Sequence, residues 1–278
     1  MADRFGNSRI LVVAGSDSGG GAGIQADIKT VMALGGYAAT AVTALTAQNT
    51  VGVEDVHAVP PAFIQSQMWA VWRDIGADSI KTGMLHDTAT VAIVADMLRT
   101  WMPNVPTVID PVMVSQSGHS LLGEAAVDRL REEILPLATL LTPNLPEAEV
   151  LLGRPISENE QSMMEAAEQL RGLGPQAVLL KGGHAQGQDV LDVLASAMGT
   201  ECFHSERLNT TANHGTGCTL ASAIATGIAQ GMTIDNAVIR AQAYLRTALT
   251  WAKGLGEGSG PVDHSFTVDP NAVEYTPR

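Results

Sequence analysis

The sequence is poor in several residue types, and each scarcity narrows the possible functions. Aromatic residues make up only 4% of the 278 residues, and only two cysteines, Cys202 and Cys218, are present. These two cysteines do not have the spacing of metal ligands. So few cysteines are typical of a protein of the reducing cytoplasm, which is the location we expect.

Basic clusters and long apolar runs are also missing. The 16 lysines and arginines are outnumbered by 29 acidic residues, giving a formal net charge of −13. Because nucleic acids and anionic membranes bind clustered basic residues, neither is expected as a partner. Residues 1–9 are polar and resemble no signal peptide, and no apolar run has membrane-spanning length. A local phosphate site remains possible, because a helix N-terminus and one lysine can form it.

Strand-like and helix-like segments alternate along the chain. Apolar runs predict strands at 10–14, 37–45, 79–82, 107–110, 139–142 and 177–181. Helices are predicted at about 24–34, 60–75, 87–101, 124–135 and 218–230. Two further helices are predicted from their start signals, a capping-box pattern at 157–160 and the N-cap Thr233. The pattern predicts an α/β fold in which helices cover both faces of a mostly parallel sheet. We expect one domain over residues 1–278, with residues 254–278 as an irregular tail.

Several polar residues follow directly after predicted strands. Asp110, Asn144 and Lys181 occupy such positions, as does the glycine cluster at 19–23. In parallel sheets, ligands bind beyond the carboxyl ends of the strands. These residues are therefore expected to form one site at that edge.

The first glycine-rich loop formally matches a dinucleotide-binding pattern at Gly21, Gly23 and Ala26. That pattern needs an acidic residue about 20 positions later to bind a ribose hydroxyl. Residues 28–53 contain no acidic residue, and no lysine follows the glycines as a phosphate-binding P-loop requires. The loop alone is also compatible with a flexible turn.

A second glycine-rich loop, at residues 213–218, precedes a strong helix pattern. Gly215, Thr216 and Gly217 can direct backbone N–H groups at an anion, such as a phosphoryl group in transfer. A helix N-terminus also lowers the pKa of a thiol, so Cys218 is a candidate base for a substrate hydroxyl. The alternative is a small buried cysteine with a packing role.

Two acids and one lysine complete the candidate site. Asp110 and Glu147 are candidate Mg²⁺ ligands, because Mg²⁺ takes one or two carboxylates together with phosphate oxygens. Glu147 can instead be an acid favoured by the start of its helix. Lys181 is a candidate phosphate ligand; a solvated lysine is disfavoured because the preceding segment is wholly apolar.

Seven motifs together resemble the hydroxymethylpyrimidine/phosphomethylpyrimidine kinases of the ribokinase-like family. They occur in order between Arg9 and His264, at residues 15–27, 43–50, 81–85, 110–113, 142–148, 181–184 and 214–219. The resemblance implies ATP and Mg²⁺, a hydroxymethyl-bearing pyrimidine of thiamine biosynthesis as acceptor, phosphorylation of that pyrimidine and of its monophosphate, and a homodimer.

The resemblance also implies roles for particular residues. The pyrimidine pocket would be formed by Gly15, Asp27, Gln48, Met84 and Val112. ATP would be contacted by Asn144, Lys181 and Gly217, and Mg²⁺ would be organised by Asp110 and Glu147. The anion hole and catalytic centre would comprise Lys181, Gly215, Thr216, Gly217 and Cys218. A glutamine amide suits an aminopyrimidine, since it can donate to a ring nitrogen and accept from an exocyclic amine.

The chain departs from this family's usual pattern at three places. Thr211 and Asn213 replace a lysine and a threonine before the second glycine-rich loop, Gln116 replaces a lysine, and Ser259 replaces a histidine. The first two departures remove a positive charge or a hydroxyl group near the place where the phosphate groups are expected to bind. Pyridoxal or pyridoxine kinase is the closest alternative, and more distant ones are a dinucleotide-dependent oxidoreductase and a non-catalytic nucleotide-binding regulator.

Overall fold

A computed structural model of the chain describes residues 8–114, 121–183 and 189–269. Its strands form a single nine-stranded sheet in the order β3-β2-β1-β4-β5-β6-β7-β8-β9. The strands are β1 (Arg9–Asp17), β2 (Tyr37–Gln48), β3 (Val53–Ala58), β4 (Ser79–Thr82), β5 (Thr107–Ile109), β6 (Leu140–Leu141), β7 (Ala177–Leu180), β8 (Asp189–Ser196) and β9 (Gly199–Glu206). The six central strands are parallel, whereas β3, β8 and β9 pair antiparallel at the two edges.

Helices connect the parallel strands. They are α1 (Gly23–Ala33), α2 (Pro61–Asp74), α3 (Thr88–Trp101), α4 (Glu124–Arg129), α5 (Leu145–Leu152), α6 (Glu160–Arg171), α7 (Thr216–Ala229) and α8 (Ile234–Trp251). Local signals fix their ends as expected. Pro61 opens α2, and Thr233 caps α8 by accepting a hydrogen bond from the Asn236 N–H.

The helices cover both faces of the sheet, and each face has its own core. Side chains of β1 alternate between them: Leu11 and Val13 pack on one face, and Ile10 and Val12 on the other. The first core includes residues of α2 to α6, and the second includes residues of α1, α7 and α8. The predicted three-layer α/β architecture with a mostly parallel sheet is therefore confirmed.

Several local predictions differ from the structure. Strands β3, β8 and β9 were not predicted. The helix expected at 124–135 is α-helical only to Arg129, continues as a π-helix over Leu130–Ile134, and ends in a 3₁₀ turn, Leu135–Leu137, which contains Pro136. The cap of α6 is Asn159 rather than Ser157, because the Asn159 side chain accepts from the Ser162 N–H.

Residues 254–269 contain little regular secondary structure. Their only helical turn is the 3₁₀ turn Ser265–Thr267. Gln116, a departure from the family pattern, and His184, in the motif at residues 181–184, lie outside the described residues. Among the residues that the structure does describe, no helix has the length and apolar character needed to span a membrane.

Candidate active site

A cavity of about 1500 Å³ opens at the carboxyl ends of the parallel strands. It brings together twelve of the thirteen predicted site residues: Gly15, Gln48, Met84, Asp110, Val112, Asn144, Glu147, Lys181, Gly215, Thr216, Gly217 and Cys218. The thirteenth, Asp27, is not among the lining residues. The parallel strands place their ends at one edge, so residues far apart in sequence reach the same cavity.

The second glycine-rich loop forms the N-terminus of α7. Gly215 is the N-cap, with a left-handed backbone (φ 78°), and a Cβ there would overlap the Gly21 carbonyl oxygen. No side chain caps this helix and no acid occupies its first turn. Its first N–H groups, which lack partners within the helix, are therefore available to an anion together with the positive end of the helix dipole.

Lys181 and Asp110 form an ion pair beside this loop. Lys181 Nζ lies 3.1 Å from Asp110 Oδ1. Burial would lower the pKa of Lys181, but the carboxylates of Asp110 and Glu147 raise it above its ordinary value. A Cβ on Gly217 would lie only 3.3 Å from Lys181 Nζ. The glycine therefore lets the first turn of α7 approach a lysine that stays charged.

Glu147 and Asp110 place two carboxyl groups in the cavity. Glu147 is in the first turn of α5, where it forms a capping box with Asn144. Burial, with a smaller contribution from the Asp110 charge, raises the pKa of Glu147 to about 7 against the opposing effect of Lys181.

These carboxyl groups fit a hard divalent cation. Asp110 Oδ2 is buried and has no hydrogen-bond partner among the described residues. The described residues contain no group of three or more His, Cys, Asp or Glu side chains arranged to hold a metal ion. Two carboxylates nevertheless match Mg²⁺, which keeps several waters and shares the phosphates of its nucleotide.

Cys218 lies in the first turn of α7 and is partly buried. Burial, aided by the charges of Asp27 and Asp110, raises the pKa of its thiol to about 11, although the Lys81 charge and a hydrogen bond from the Gly23 backbone oppose this rise. The prediction that the helix N-terminus lowers this pKa is therefore wrong. Loss of water outweighs the helix dipole at this position.

Asp27 lies beneath the cavity rather than in its wall. Its side chain is fully buried in α1 and accepts hydrogen bonds from Lys81 Nζ at 2.9 Å and from Ser222 Oγ at 2.7 Å. Burial would lower the pKa of Lys81, but Asp27 raises it, so this lysine stays charged. The direct contact expected between Asp27 and the pyrimidine does not agree with this position.

The other predicted acceptor residues line one end of the cavity. Gly15 ends the regular part of β1, where a Cβ would lie 2.7 Å from the Met84 Cε methyl group. The Thr43 hydroxyl donates to the Met84 carbonyl at 2.6 Å. Gln48 is anchored at the end of β2, where the Ser18 hydroxyl bonds both its carbonyl and its N–H. This end combines apolar surface with one amide side chain.

Sequence reasoning missed the roles of Asp17 and His214, although both lie within the recognised motifs. Asp17 Oδ2 lies 2.9 Å from His214 Nε2, and the two residues line the cavity beside Gln48. The signal that could have found Asp17 was an acid followed, after Ser18, by three glycines, because such a carboxylate can accept several backbone N–H groups of a tight turn.

A second wall of the cavity was also missed. It is formed by β9, the segment after it and one face of α8, and includes Phe203, Asn213, Gln242, Arg246 and Leu249. Of the departures from the family pattern, Asn213 lies in this wall, whereas the Thr211 carbonyl accepts from the Gly260 N–H at 3.1 Å. No motif signalled the wall because its residues are spread over a strand, the segment after it and a helix.

Comparison with protein-family models gives a match to the family described as phosphomethylpyrimidine kinase, over residues 17–263. A relative from Geobacter sulfurreducens, a thiamine biosynthesis bifunctional protein, is 50% identical over 95% of this chain; the chain spans 54% of that protein. A hydroxymethylpyrimidine/phosphomethylpyrimidine kinase from Rhizobium meliloti is 47% identical, with 91% of this chain and 96% of the relative covered.

Among solved structures, an ADP complex of pyridoxal kinase from Bacillus subtilis resembles the fold closely. It superposes with a TM-score of 0.86 at 34% identity, covering 92% of this chain and 97% of that one. The crystal structure of a phosphomethylpyrimidine kinase from Clostridium difficile superposes with a TM-score of 0.77 at 39% identity, covering 86% of this chain and 98% of that one. The similar proteins are therefore all small-molecule kinases, named for pyrimidine or for pyridoxal acceptors.

Proposed function

Since the chain belongs to the phosphomethylpyrimidine kinase family, we propose that it transfers the γ-phosphate of ATP to 4-amino-5-hydroxymethyl-2-methylpyrimidine and then to the resulting monophosphate. The observation that carries the proposal is the joining of Asp110, Lys181 and the N-terminus of α7 in one cavity. Phosphoryl transfer depends chiefly on positioning and on charge stabilisation, and these groups supply both.

The acceptor is proposed to lie at the end of the cavity formed by Gly15, Gln48, Met84 and Val112. Met84 and Val112 offer apolar contact to a flat ring, while the Gln48 amide offers a donor and an acceptor. The hydroxymethyl group then points towards Cys218 and the first turn of α7. ATP is proposed to occupy the opposite end, near Asn144, Lys181 and the wall of β9 and α8.

The charge on the transferring group is stabilised by the chain's own residues. The N–H groups of residues 215–217 and the Lys181 ammonium act on the developing negative charge without reorganising during the reaction. Asp110 holds Lys181 in place through their 3.1 Å contact. Mg²⁺ would be held by Asp110 and Glu147, and when bound it neutralises charge on the phosphates.

The role of Cys218 differs between the two proposed transfers. A thiol with a pKa of about 11 is a weak source of thiolate at neutral pH. The hydroxymethyl acceptor must lose a proton as the oxygen–phosphorus bond forms, and only the thiolate form of Cys218, a small fraction at neutral pH, can take it. The monophosphate acceptor is already an anion at neutral pH, so the second transfer needs no such base.

Pyridoxine phosphorylation is the second candidate function. It is favoured by the similarity to the Bacillus subtilis pyridoxal kinase, and pyridoxine also carries a hydroxymethyl group. The Gln48 amide favours the aminopyrimidine, because that ring has an amine beside a ring nitrogen. The higher identity to the Rhizobium kinase supports the same assignment.

We also propose a cytoplasmic homodimer that is one kinase domain along its whole length. One sheet contains every strand of the described residues, which supports the single domain. Leu45 and Val51, which are exposed near the end of β2 and just beyond it, are candidates for a subunit contact.

An ATP-consumption assay tests the proposed function. Purified protein, ATP and Mg²⁺ are incubated separately with the aminopyrimidine, its monophosphate and pyridoxine. The proposal predicts ADP release with both pyrimidines at rates well above that with pyridoxine. Turnover of pyridoxine alone would contradict it.

A further inference from the structure

A fully buried ion pair lies beneath the start of α7, and the proposed reaction has not yet given it a role. Lys81 Nζ and Asp27 Oδ1 are 2.9 Å apart, and both side chains are excluded from solvent. A buried pair of this kind contributes little to stability, because well-packed apolar residues in its place are often as stable or more so. Its position near the second glycine-rich loop therefore points to a role in the reaction.

Three elements of the fold bring this pair towards Cys218. In β4, Lys81 pairs with Val12 of β1 and points to the same face of the sheet, which α1 and α7 cover. In α1, Asp27 accepts from Lys81 Nζ, and the Ser222 hydroxyl of α7 donates to the same Asp27 oxygen at 2.7 Å. The ammonium therefore lies against the face of α7 that bears Ser222.

Cys218 is on that same face of α7, one helical turn before Ser222. The start of α1 meets this turn as well, because the Gly23 backbone N–H donates a hydrogen bond to the Cys218 sulfur. Asp27 follows Gly23 by one turn in α1. The two helices thus meet at two successive turns, with the thiol at the first and the ion pair at the second.

Resting on the proposed function, we infer that Lys81, held in place by Asp27, is a positioning residue for the first transfer. Its ammonium stabilises the thiolate of Cys218, which takes the hydroxymethyl proton. That proton passes to sulfur, the acceptor oxygen bonds the γ-phosphorus, and ADP leaves with the electrons of the broken bond. Lys81 does not line the cavity, so it acts through Cys218.

Charged groups from several elements act on the thiol. Burial raises the pKa of Cys218 to about 11, and the Lys81 charge has the largest opposing effect. Asp27, and Asp110 after β5, add to the rise. Lys181, after β7, is favoured in its charged form by a charge on Cys218. Removing the Lys81 charge should therefore disfavour the thiolate, and removing the Asp27 charge should favour it.

Alkylation by iodoacetamide tests this charge pairing without any acceptor. Cys218 is partly exposed in the cavity, and only its thiolate reacts, so the rate at pH 8 follows the thiolate fraction. Lys81→Met should slow the reaction about threefold to tenfold. Asp27→Asn, whose amide oxygen still accepts hydrogen bonds from Lys81 and Ser222, should speed it about threefold to tenfold.

The opposite signs separate an electrostatic role from a structural one, because loosening of the fold would expose the thiol and speed its alkylation in both variants. Peptide mass spectrometry measures Cys218 and Cys202 separately. The Cys202 rate, on which neither charge acts, is the reference within each molecule. Lys253→Met, at an exposed lysine outside the cavity, is the control variant and should leave both rates unchanged.

A substitute variant covers the case in which thermal unfolding shows that Lys81→Met does not fold. The variant Asp27→Leu/Lys81→Met removes both buried charges and leaves neither without a partner. It should also slow the alkylation of Cys218, because the effect of Lys81 on the thiol is larger than that of Asp27.

The two proposed transfers give a second readout. Lys81→Met should lower kcat for the aminopyrimidine about tenfold and kcat for its monophosphate less than about threefold, because the monophosphate needs no base. In a Cys218→Ala background, Lys81→Met should change the first transfer less than about twofold, because its effect passes through the thiol.

Unchanged or faster alkylation of Cys218 in the folded Lys81→Met variant, or in its substitute, would overturn the inference. Slower alkylation in Asp27→Asn would do the same, as would equal effects of Lys81→Met with and without Cys218. Failure of the unsubstituted protein to phosphorylate the aminopyrimidine would instead overturn the proposed function, while the alkylation rates would still test the effect of the ammonium on the thiol.

Discussion

Lys181 Nζ lies 3.1 Å from Asp110 Oδ1, and the pair lies beside Gly217 in the first turn of α7. The contact joins the end of β7 to the end of β5, with the end of β6 between them. One lysine therefore faces the helix N-terminus and both carboxyl groups of the candidate metal site. Its position gives the cavity a positive charge although the chain has few basic residues.

Replacing Lys181 should remove charge stabilisation during transfer. We expect Lys181→Met to lower kcat about 100-fold to 1000-fold, in the range seen when one stabilising donor is lost. Steady-state kinetics with saturating ATP measure this loss. Lys253→Met, at an exposed lysine outside the cavity, is the control. Similar kcat values for the two variants would contradict the assigned role.

Cys218→Ala should affect the two transfers unequally. Loss of a general base costs about 100-fold or more, so phosphorylation of the hydroxymethyl group should fall by that amount. Phosphorylation of the monophosphate should fall less than about tenfold, because its oxygen needs no base. Product analysis with each acceptor separates the steps, and Met198→Ala, at an exposed side chain outside the cavity, is the control. Equal losses in both steps would mean that the thiol does not act as a base.

Glu147 should make the stability of the metal-free protein depend on pH. Its pKa is raised to about 7 in the folded state, so the folded protein holds this proton more tightly than the unfolded chain. The contribution of Glu147 to stability therefore falls as pH rises from about 4.5 to about 7 and stays low above that.

The Glu147→Gln variant isolates this contribution. Its Tm should exceed that of the unsubstituted protein by a margin that grows between about pH 5 and pH 8, measured without Mg²⁺. The amide keeps a polar group at the same position, although its hydrogen bond to the Asn144 N–H is weaker. A margin that stays constant across this range would show that the glutamate pKa is not raised.

We expect Asp27 to contribute to the stability of the fold rather than to bind the substrate directly. Asp27→Ala leaves the fully buried Lys81 without its partner, which costs about 3–5 kcal/mol in the free energy of unfolding. The double variant Asp27→Leu with Lys81→Met removes both charges and should recover much of this loss. Chemical denaturation measures both values. A stable Asp27→Ala variant with a raised KM for the acceptor would instead place Asp27 at the substrate.

The sheet and most helices were predictable because apolar runs and caps are local signals. The runs at 79–82 and 177–181 correspond to β4 and to β7 with Lys181 directly after it. Strands β8 and β9 were not predictable in this way. They form an antiparallel hairpin at the sheet edge, and exposed polar residues such as Asp189 and Glu201 interrupt their apolar pattern.

The position of the candidate residues at one edge of the sheet was more predictable than their electrostatics. Asp110, Glu147 and Lys181 lie at or just after strand ends, and the parallel sheet brings them together. The thiol pKa of Cys218 depends on how much water the folded chain excludes, which no local pattern reveals. The partner of Asp27 is 54 residues away, so no local signal indicates that this acid points at Lys81 rather than into the cavity.

The most direct test of the proposed function is a competition between acceptors in one reaction. The aminopyrimidine and pyridoxine are supplied at equal concentration with limiting ATP and Mg²⁺, and the phosphorylated products are separated and counted. Their ratio equals the ratio of kcat/KM values, whichever step limits turnover. We predict that phosphorylated pyrimidine exceeds pyridoxine phosphate by about tenfold or more, on the order of one unmatched buried hydrogen bond. Equal amounts, or an excess of pyridoxine phosphate, would contradict the assignment.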